Sequence, residues 1–285
     1  METHLQHTNE WGGEVMGEVF LSVKDIPLDS QENYKWIDAR FNLQNSAEGS
    51  TVYQKQHIAE AVFWDLEKDL SDMEQHAGRH PMPTKDKLQA LFERNGLQMD
   101  DSILVYDQGG TPFAARAWWL LKYGGFQKVQ IVQEGYNALV NEGFKTSNDL
   151  PVVQQTSLNL KWQEHLYADR IAVKEIVDGH VDRTLLDARS NARYKGDIEP
   201  IDKIAGHIPG AINYDWEQLL QDGKLCPNES LLELVSKKEP ITVYCGSGVT
   251  AAPLFAMLKE MAYEDIQLYT GSYSDWIQHF EIEKA

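Results

Sequence analysis

The sequence predicts an α/β protein of two tandem domains, each a parallel sheet flanked by helices. Three observations lead there: an ordered internal repeat, short β-branched runs alternating with helical stretches, and a length that suits two domains. The 285 residues amount to about two units at roughly 100–200 residues per domain, and a hydrophobic content of 42% can fill two ordinary cores.

The repeat comes first. Ser22-Val23-Lys24-Asp25-Ile26 is echoed by Ala172-Val173-Lys174-Glu175-Ile176, an offset of 150 (172 − 22). Trp36-Ile37-Asp38-Ala39-Arg40 returns as Leu185-Leu186-Asp187-Ala188-Arg189, and the stretch from His57 to Asp65 returns as His207 to Asp215. A fourth echo, Ile103-Leu104-Val105-Tyr106-Asp107 against Ile241-Thr242-Val243-Tyr244-Cys245, has an offset of 138 (245 − 107), so residues 66–100 hold an insertion in the first copy. The apolar runs read as strands, and amphipathic stretches such as 114–123 and 253–261 read as crossover helices, the alternation of a parallel sheet covered by helices. Residues 145–162 are polar, contain Pro151 and hold no period, so the chain divides near residue 155 into an N-terminal domain, 1–155, and a C-terminal domain, 156–285.

Charge and cysteine content narrow the function. With 44 acidic and 26 basic side chains the formal net charge is −18, which argues against nucleic-acid or anionic-membrane partners. No run approaches the roughly 18 apolar residues of a membrane helix, and the opening residues show no leader pattern, so a cytoplasmic location is expected. Only Cys226 and Cys245 occur, too few for a disulfide framework or a Cys-x-x-Cys metal pair, and neither a metal nor another cofactor is expected.

Cys245 is the candidate nucleophile. It follows the strand-like Ile241-Thr242-Val243-Tyr244, where open α/β sheets bind ligands, and it opens the loop Cys245-Gly246-Ser247-Gly248-Val249-Thr250 before a helix. Gly246 and Gly248 permit a backbone nest of N–H groups that would stabilise an anionic sulfur and, after transfer, a persulfide. A phosphatase would need an arginine at position 251 to clamp phosphate, and the residue is Ala251. Cys226, in Gly223-Lys224-Leu225-Cys226-Pro227, has no such surroundings and reads as a loop residue.

These residues together resemble the rhodanese superfamily, specifically the tandem-domain thiosulfate and mercaptopyruvate sulfurtransferases. Asp187-Ala188-Arg189, the stretch Gly206 to Ala211 and the late Gly271-Ser272-Tyr273-Ser274-Asp275-Trp276 match its signatures. The resemblance implies two rhodanese-like domains, an inactive first copy with Asp107 in place of cysteine, and a catalytic second copy. It also implies that Cys245 carries sulfane sulfur from a small anionic donor, 3-mercaptopyruvate favoured, to a thiol, cyanide or protein acceptor. Alternatives are a thiosulfate-specific enzyme and a persulfide carrier without turnover. Arg193 would bind the donor's anionic end, with the loop residues Gly246, Ser247, Gly248, Val249 and Thr250 around it. Ser247 would hydrogen-bond the donor carbonyl or the sulfur, and His57 matches an assisting histidine, with Glu48 the acid within reach in sequence. Asp38 with Arg40 and Asp187 with Arg189 read as structural pairs, and His207 as a loop-fixing residue. Mercaptopyruvate enzymes usually carry a further arginine after a Glu-Pro pair. Here Glu199-Pro200 is followed by Ile201, which leaves Lys195 or Lys203 to supply that charge.

Overall fold

Ile103–Tyr106 and Ile241–Tyr244 are buried at every position, which requires apolar or β-branched side chains on both faces and places each at the centre of a covered sheet. A computed structural model describes residues 18–284 of the protein. The leader-free opening expected from the sequence lies outside the described residues.

In the first half the strands are β1 (Phe20–Leu21), β2 (Lys35–Asp38), β3 (Val62–Phe63), β4 (Ile103–Tyr106) and β5 (Val129–Val132). In the second they are β6 (Tyr167–Ala168), β7 (Thr184–Asp187), β8 (Ile212–Asn213), β9 (Ile241–Tyr244) and β10 (Ile266–Tyr269). The first sheet has the order β1-β5-β4-β2-β3 and the second β6-β10-β9-β7-β8, with parallel pairing throughout. The central registers also repeat: Asp38 stands opposite Tyr106, and Asp187 opposite Tyr244. The duplication seen in the sequence is therefore a duplication of topology.

The helices are α1 (Ala47–Lys55), α2 (Lys85–Arg94), α3 (Phe113–Tyr123), α4 (Gly135–Glu142), α5 (Arg170–Val177), α6 (Asn191–Lys195), α7 (Glu229–Leu234), α8 (Ala251–Glu260) and α9 (Ser272–Trp276). Helices α3 and α8 each follow a central strand, and both are apolar nearly all round. Such a helix must be covered on every side. Each lies between its own sheet and the other half, with Phe255 of α8 meeting Trp118 and Trp119 of α3 at centroid distances of 6.3 and 6.4 Å. One apolar cluster consequently runs through both halves. Residues 148–163 contain no helix or strand and are tied along α2 by Thr156 and Leu158, whose N–H groups donate to the Glu93 carbonyl and carboxylate.

The insertion at 66–100 supplies α2, begun by Thr84, whose Oγ1 accepts from Lys87 N–H at 3.3 Å. It also supplies the loop before α2, which crosses to the second half. A Cβ on Gly78, at φ +93°, would lie 2.6 Å from the Gly271 carbonyl oxygen, so only glycine allows this approach.

Candidate active site

Strand β9 ends at Tyr244, and the next residue, Cys245, is buried at the foot of the turn into α8. Its Sγ accepts a hydrogen bond from Gly248 N–H at 3.1 Å. The loop can bend back this far because Gly248 sits at φ +75°, packed so closely that a Cβ would stand 2.1 Å from the Thr270 carbonyl oxygen. The N–H groups of Gly246, Ser247, Val249 and Thr250 do not contact Sγ itself.

A second segment fixes the loop from below. Tyr273 N–H donates to the Cys245 carbonyl at 3.0 Å and Ser274 N–H to the Gly246 carbonyl at 2.9 Å. Ser272 Oγ accepts from Cys245 N–H at 3.0 Å, donates to the Tyr269 carbonyl at 2.8 Å and lies 3.9 Å from Sγ. Ser272 itself has φ +56°, a left-handed conformation that costs a non-glycine residue on the order of 1–3 kcal/mol and marks functional sites. In the first repeat the corresponding position is Gly135, at φ +73°.

The first repeat shows what this kind of loop binds. Asp107, the counterpart of Cys245, accepts from Gly109 N–H at 2.8 Å and from Ala114 N–H at 2.9 Å. Burial raises its carboxyl above the usual range while those N–H groups pull it back. A turn of this shape thus holds a carboxyl group in one copy and a cysteine sulfur in the other.

The first half reaches into this site through three side chains. Arg116, on α3, is fully buried, donates to the Gly248 carbonyl at 3.1 Å, and leaves its Nε without a partner. It has no carboxylate partner among the described residues. Burial draws its pKa down to about 10, opposed by the charges of Cys245 and Tyr167. His80, in the insertion loop, has Nδ1 2.9 Å from Ser247 Oγ. Its pKa is pushed down to about 4 by burial and by Arg116 and Arg79, so the imidazole is neutral near pH 7. Arg79 donates to Asp202, and its backbone N–H donates to Ser274 Oγ at 3.0 Å.

Arg193, in the middle of the short helix α6, donates from Nε and Nη2 to Glu199 at 3.0 and 2.8 Å and from Nη2 to Asp202 at 3.1 Å. Burial works to raise the Glu199 carboxyl, but hydrogen bonds from Arg193 and from the Asp202 and Ile201 N–H groups hold it below the usual range, so it is ionised. Lys195 and Lys203 are exposed and make no hydrogen bond or ion pair among the described residues.

The structure does not bring His57 to this site. Its ring nitrogens lie 2.8 Å from the Tyr53 carbonyl and 3.2 Å from the Asp149 carbonyl, and it stacks on Tyr53 at 4.1 Å. His207 does the same in the second repeat, with Tyr194. Both are loop-fixing residues because both occupy one repeat position. Glu48 accepts from Asn42 Nδ2 on the surface, away from Ser247 and His80. The pairs Asp38–Arg40 and Asp187–Arg189 meet at 2.6 Å, and each arginine lies over a tyrosine, Tyr136 at 3.8 Å and Tyr273 at 3.9 Å.

Sequence reasoning missed Arg79, His80 and Arg116. Arg79 and His80 lie in the segment that the second repeat lacks, where no echo points to them. Arg116 had a visible signal: a cation among the apolar residues 113–121.

Residues 27–142 and 170–279 both match the rhodanese-like domain family. The chain belongs to the rhodanese-like family. It is 36% identical over 251 residues to a "Probable 3-mercaptopyruvate sulfurtransferase" of Pseudomonas aeruginosa, covering 85% of this chain and 88% of that one. It is 34% identical over 272 residues to a "Putative thiosulfate sulfurtransferase" of Mycobacterium tuberculosis, covering 91% and 94%. The solved 3-mercaptopyruvate sulfurtransferase of Leishmania major superposes with a TM-score of 0.79 at 26% identity, covering 93% of this chain and 75% of that one. This tandem rhodanese-like protein is a sulfurtransferase, with a sulfur donor and a sulfur acceptor as substrates.

Proposed function

We propose that Cys245 is the nucleophile, that it takes sulfane sulfur from 3-mercaptopyruvate, and that it passes the sulfur to a thiol, cyanide or protein acceptor. The observation that carries this reading is Sγ seated on the Gly248 N–H, with the uncompensated Arg116 cation bound to the same residue's carbonyl. The Cys245 sulfur attacks the donor's sulfur, and the donor's carbon–sulfur bond breaks. Its electron pair goes to carbon as the enolate of pyruvate, which takes up a proton, and Cys245 retains the sulfur as a persulfide. Attack by the acceptor on the terminal sulfur regenerates Cys245.

Several features support mercaptopyruvate. Positions 246–250 carry no cation that would suit a dianionic thiosulfate, Ser247 offers a hydroxyl to the donor carbonyl with neutral His80 behind it, and Arg193, whose Nε and Nη2 are held by Glu199, keeps Nη1 for a carboxylate. Thiosulfate is the second reading, favoured by the Mycobacterium tuberculosis relative and by Ile201 in place of a cation. In both readings residues 1–155 form a noncatalytic domain, since Asp107 cannot carry sulfur, and 156–285 form the catalytic one. Two free cysteines fit a reducing compartment, in keeping with a cytoplasmic enzyme.

Steady-state rates with each donor, for the wild type and Cys245→Ala, test the reading. Turnover of mercaptopyruvate that is lost in Cys245→Ala is expected. A clear preference for thiosulfate would overturn the donor, and full turnover by Cys245→Ala would overturn the nucleophile.

A further inference from the structure

Next to Cys245 two guanidinium groups converge on one point. A Cβ built on Gly246 would lie 2.6 Å from Arg79 Nη2, 3.3 Å from Arg193 Nη2 and 3.5 Å from Arg193 Nη1. The inner nitrogens of the pair are occupied: Asp202 bridges Arg79 Nη1 and Arg193 Nη2, and Glu199 takes Arg193 Nε and Nη2. Arg79 Nη2 and Arg193 Nη1 make no hydrogen bond among the described residues, and these are atoms that flank Gly246. The two carboxylates balance the charge of the pair and lock its orientation while leaving the outer N–H groups directed at the same place. A pair of fixed forks loses little conformational entropy when it closes on a planar anion.

We propose that Arg79, carried in by the insertion of the first half, is the second cation of the donor seat and grips the donor's anionic end together with Arg193. This rests on the reading of Cys245 as acceptor of sulfur from a small anionic donor. It accounts for the missing arginine at position 201: Ile201 is 58% exposed, Lys195 and Lys203 are unengaged, and the neighbouring Asp202 instead tethers an arginine from the other domain. A three-carbon donor is short, so its carboxylate has to be held within about one residue of Cys245, which is where Gly246 lies. It also gives the insertion a reason to exist, since Arg79 and His80 are consecutive residues and the second repeat has neither. Gly246 is then required as the floor of the seat, where any side chain would enter the space between the two forks.

The test measures how well anions protect Cys245 from alkylation by neutral iodoacetamide, with pyruvate and sulfate, neither of which can donate sulfane sulfur, as probes, in the wild type, Arg79→Ala, Arg79→Lys and Arg193→Ala. The half-protecting concentration does not depend on the absolute alkylation rate, so a general change in the loop does not imitate the effect. Losing one charge-assisted partner should raise that concentration about tenfold or more in Arg79→Ala, as in Arg193→Ala, with partial recovery in Arg79→Lys. In steady state the same variant should show its defect mainly in donor KM rather than kcat. Unchanged protection in Arg79→Ala, or no protection of the wild type by either anion, would overturn the proposal. Failure of the wild type to turn over mercaptopyruvate, with protection still dependent on Arg79, would overturn the donor reading and leave the seat standing.

Discussion

At Cys245 the decisive neighbours come from the other half of the chain. Arg116 is buried without a carboxylate, so replacing it with methionine of similar length removes the cation and keeps the packing. Alkylation of Cys245 at pH 7 should then slow by about tenfold, because Arg116 holds the carbonyl of Gly248, the residue whose N–H donates to Sγ. An unchanged rate in a folded Arg116→Met variant would remove Arg116 from the account. His80 gives a pH prediction. Its folded value near 4 lies below the ordinary 6.5, so the unfolded chain binds this proton more readily. Its contribution is complete above about pH 6.5 and is lost as pH falls towards 4, on the order of 2–3 kcal/mol across that window. His80→Gln should flatten the loss of stability between those pH values in urea titrations. Cys245 itself was legible in the sequence because strand, Gly-x-Gly turn and helix are adjacent in the chain. His80 was not: its meeting with Ser247 spans 167 residues, and the family resemblance pointed to His57, whose contacts are those of His207 in the other repeat.

The elements were readable wherever period and length agreed. Strands β4 and β9 stood out as apolar runs and the echo of Asp-Ala-Arg marked β2 and β7, while their order in the sheet came from the structure alone. The stretches 114–123 and 253–261 read as amphipathic crossover helices, and the structure corrects this: α3 and α8 are buried on nearly every side, because each is covered by the other half as well as by its own sheet. The loop glycines offer a graded test. Gly248→Ala places a Cβ 2.1 Å from backbone and should cost at least about 2 kcal/mol and most of the activity. Gly210, at φ +76°, has nothing within 4 Å of its would-be Cβ, so Gly210→Ala should cost only about 1 kcal/mol of conformational strain. Chemical denaturation of the two variants checks the difference, and equal losses would contradict the packing argument.

Across the whole molecule, duplication supplies the scaffold and divergence supplies the chemistry. One copy carries Cys245 in its central loop, while the other carries the buried Asp107 there and lends Arg79, His80 and Arg116 to the first. Because one apolar cluster crosses both halves, tryptophan fluorescence and far-UV circular dichroism should report a single coincident unfolding transition. Two separated transitions would show that the halves are energetically independent. A fragment of residues 156–285 would expose the apolar face of α8 and lack all three basic side chains, so it should be inactive even where it folds. The most direct test of the central claim is peptide mass spectrometry of the full chain after exposure to mercaptopyruvate without acceptor. The account predicts one added sulfur on the peptide containing Cys245, removed by a thiol or cyanide; an unmodified Cys245 in protein that is turning over, or sulfur found on Cys226 instead, would contradict it.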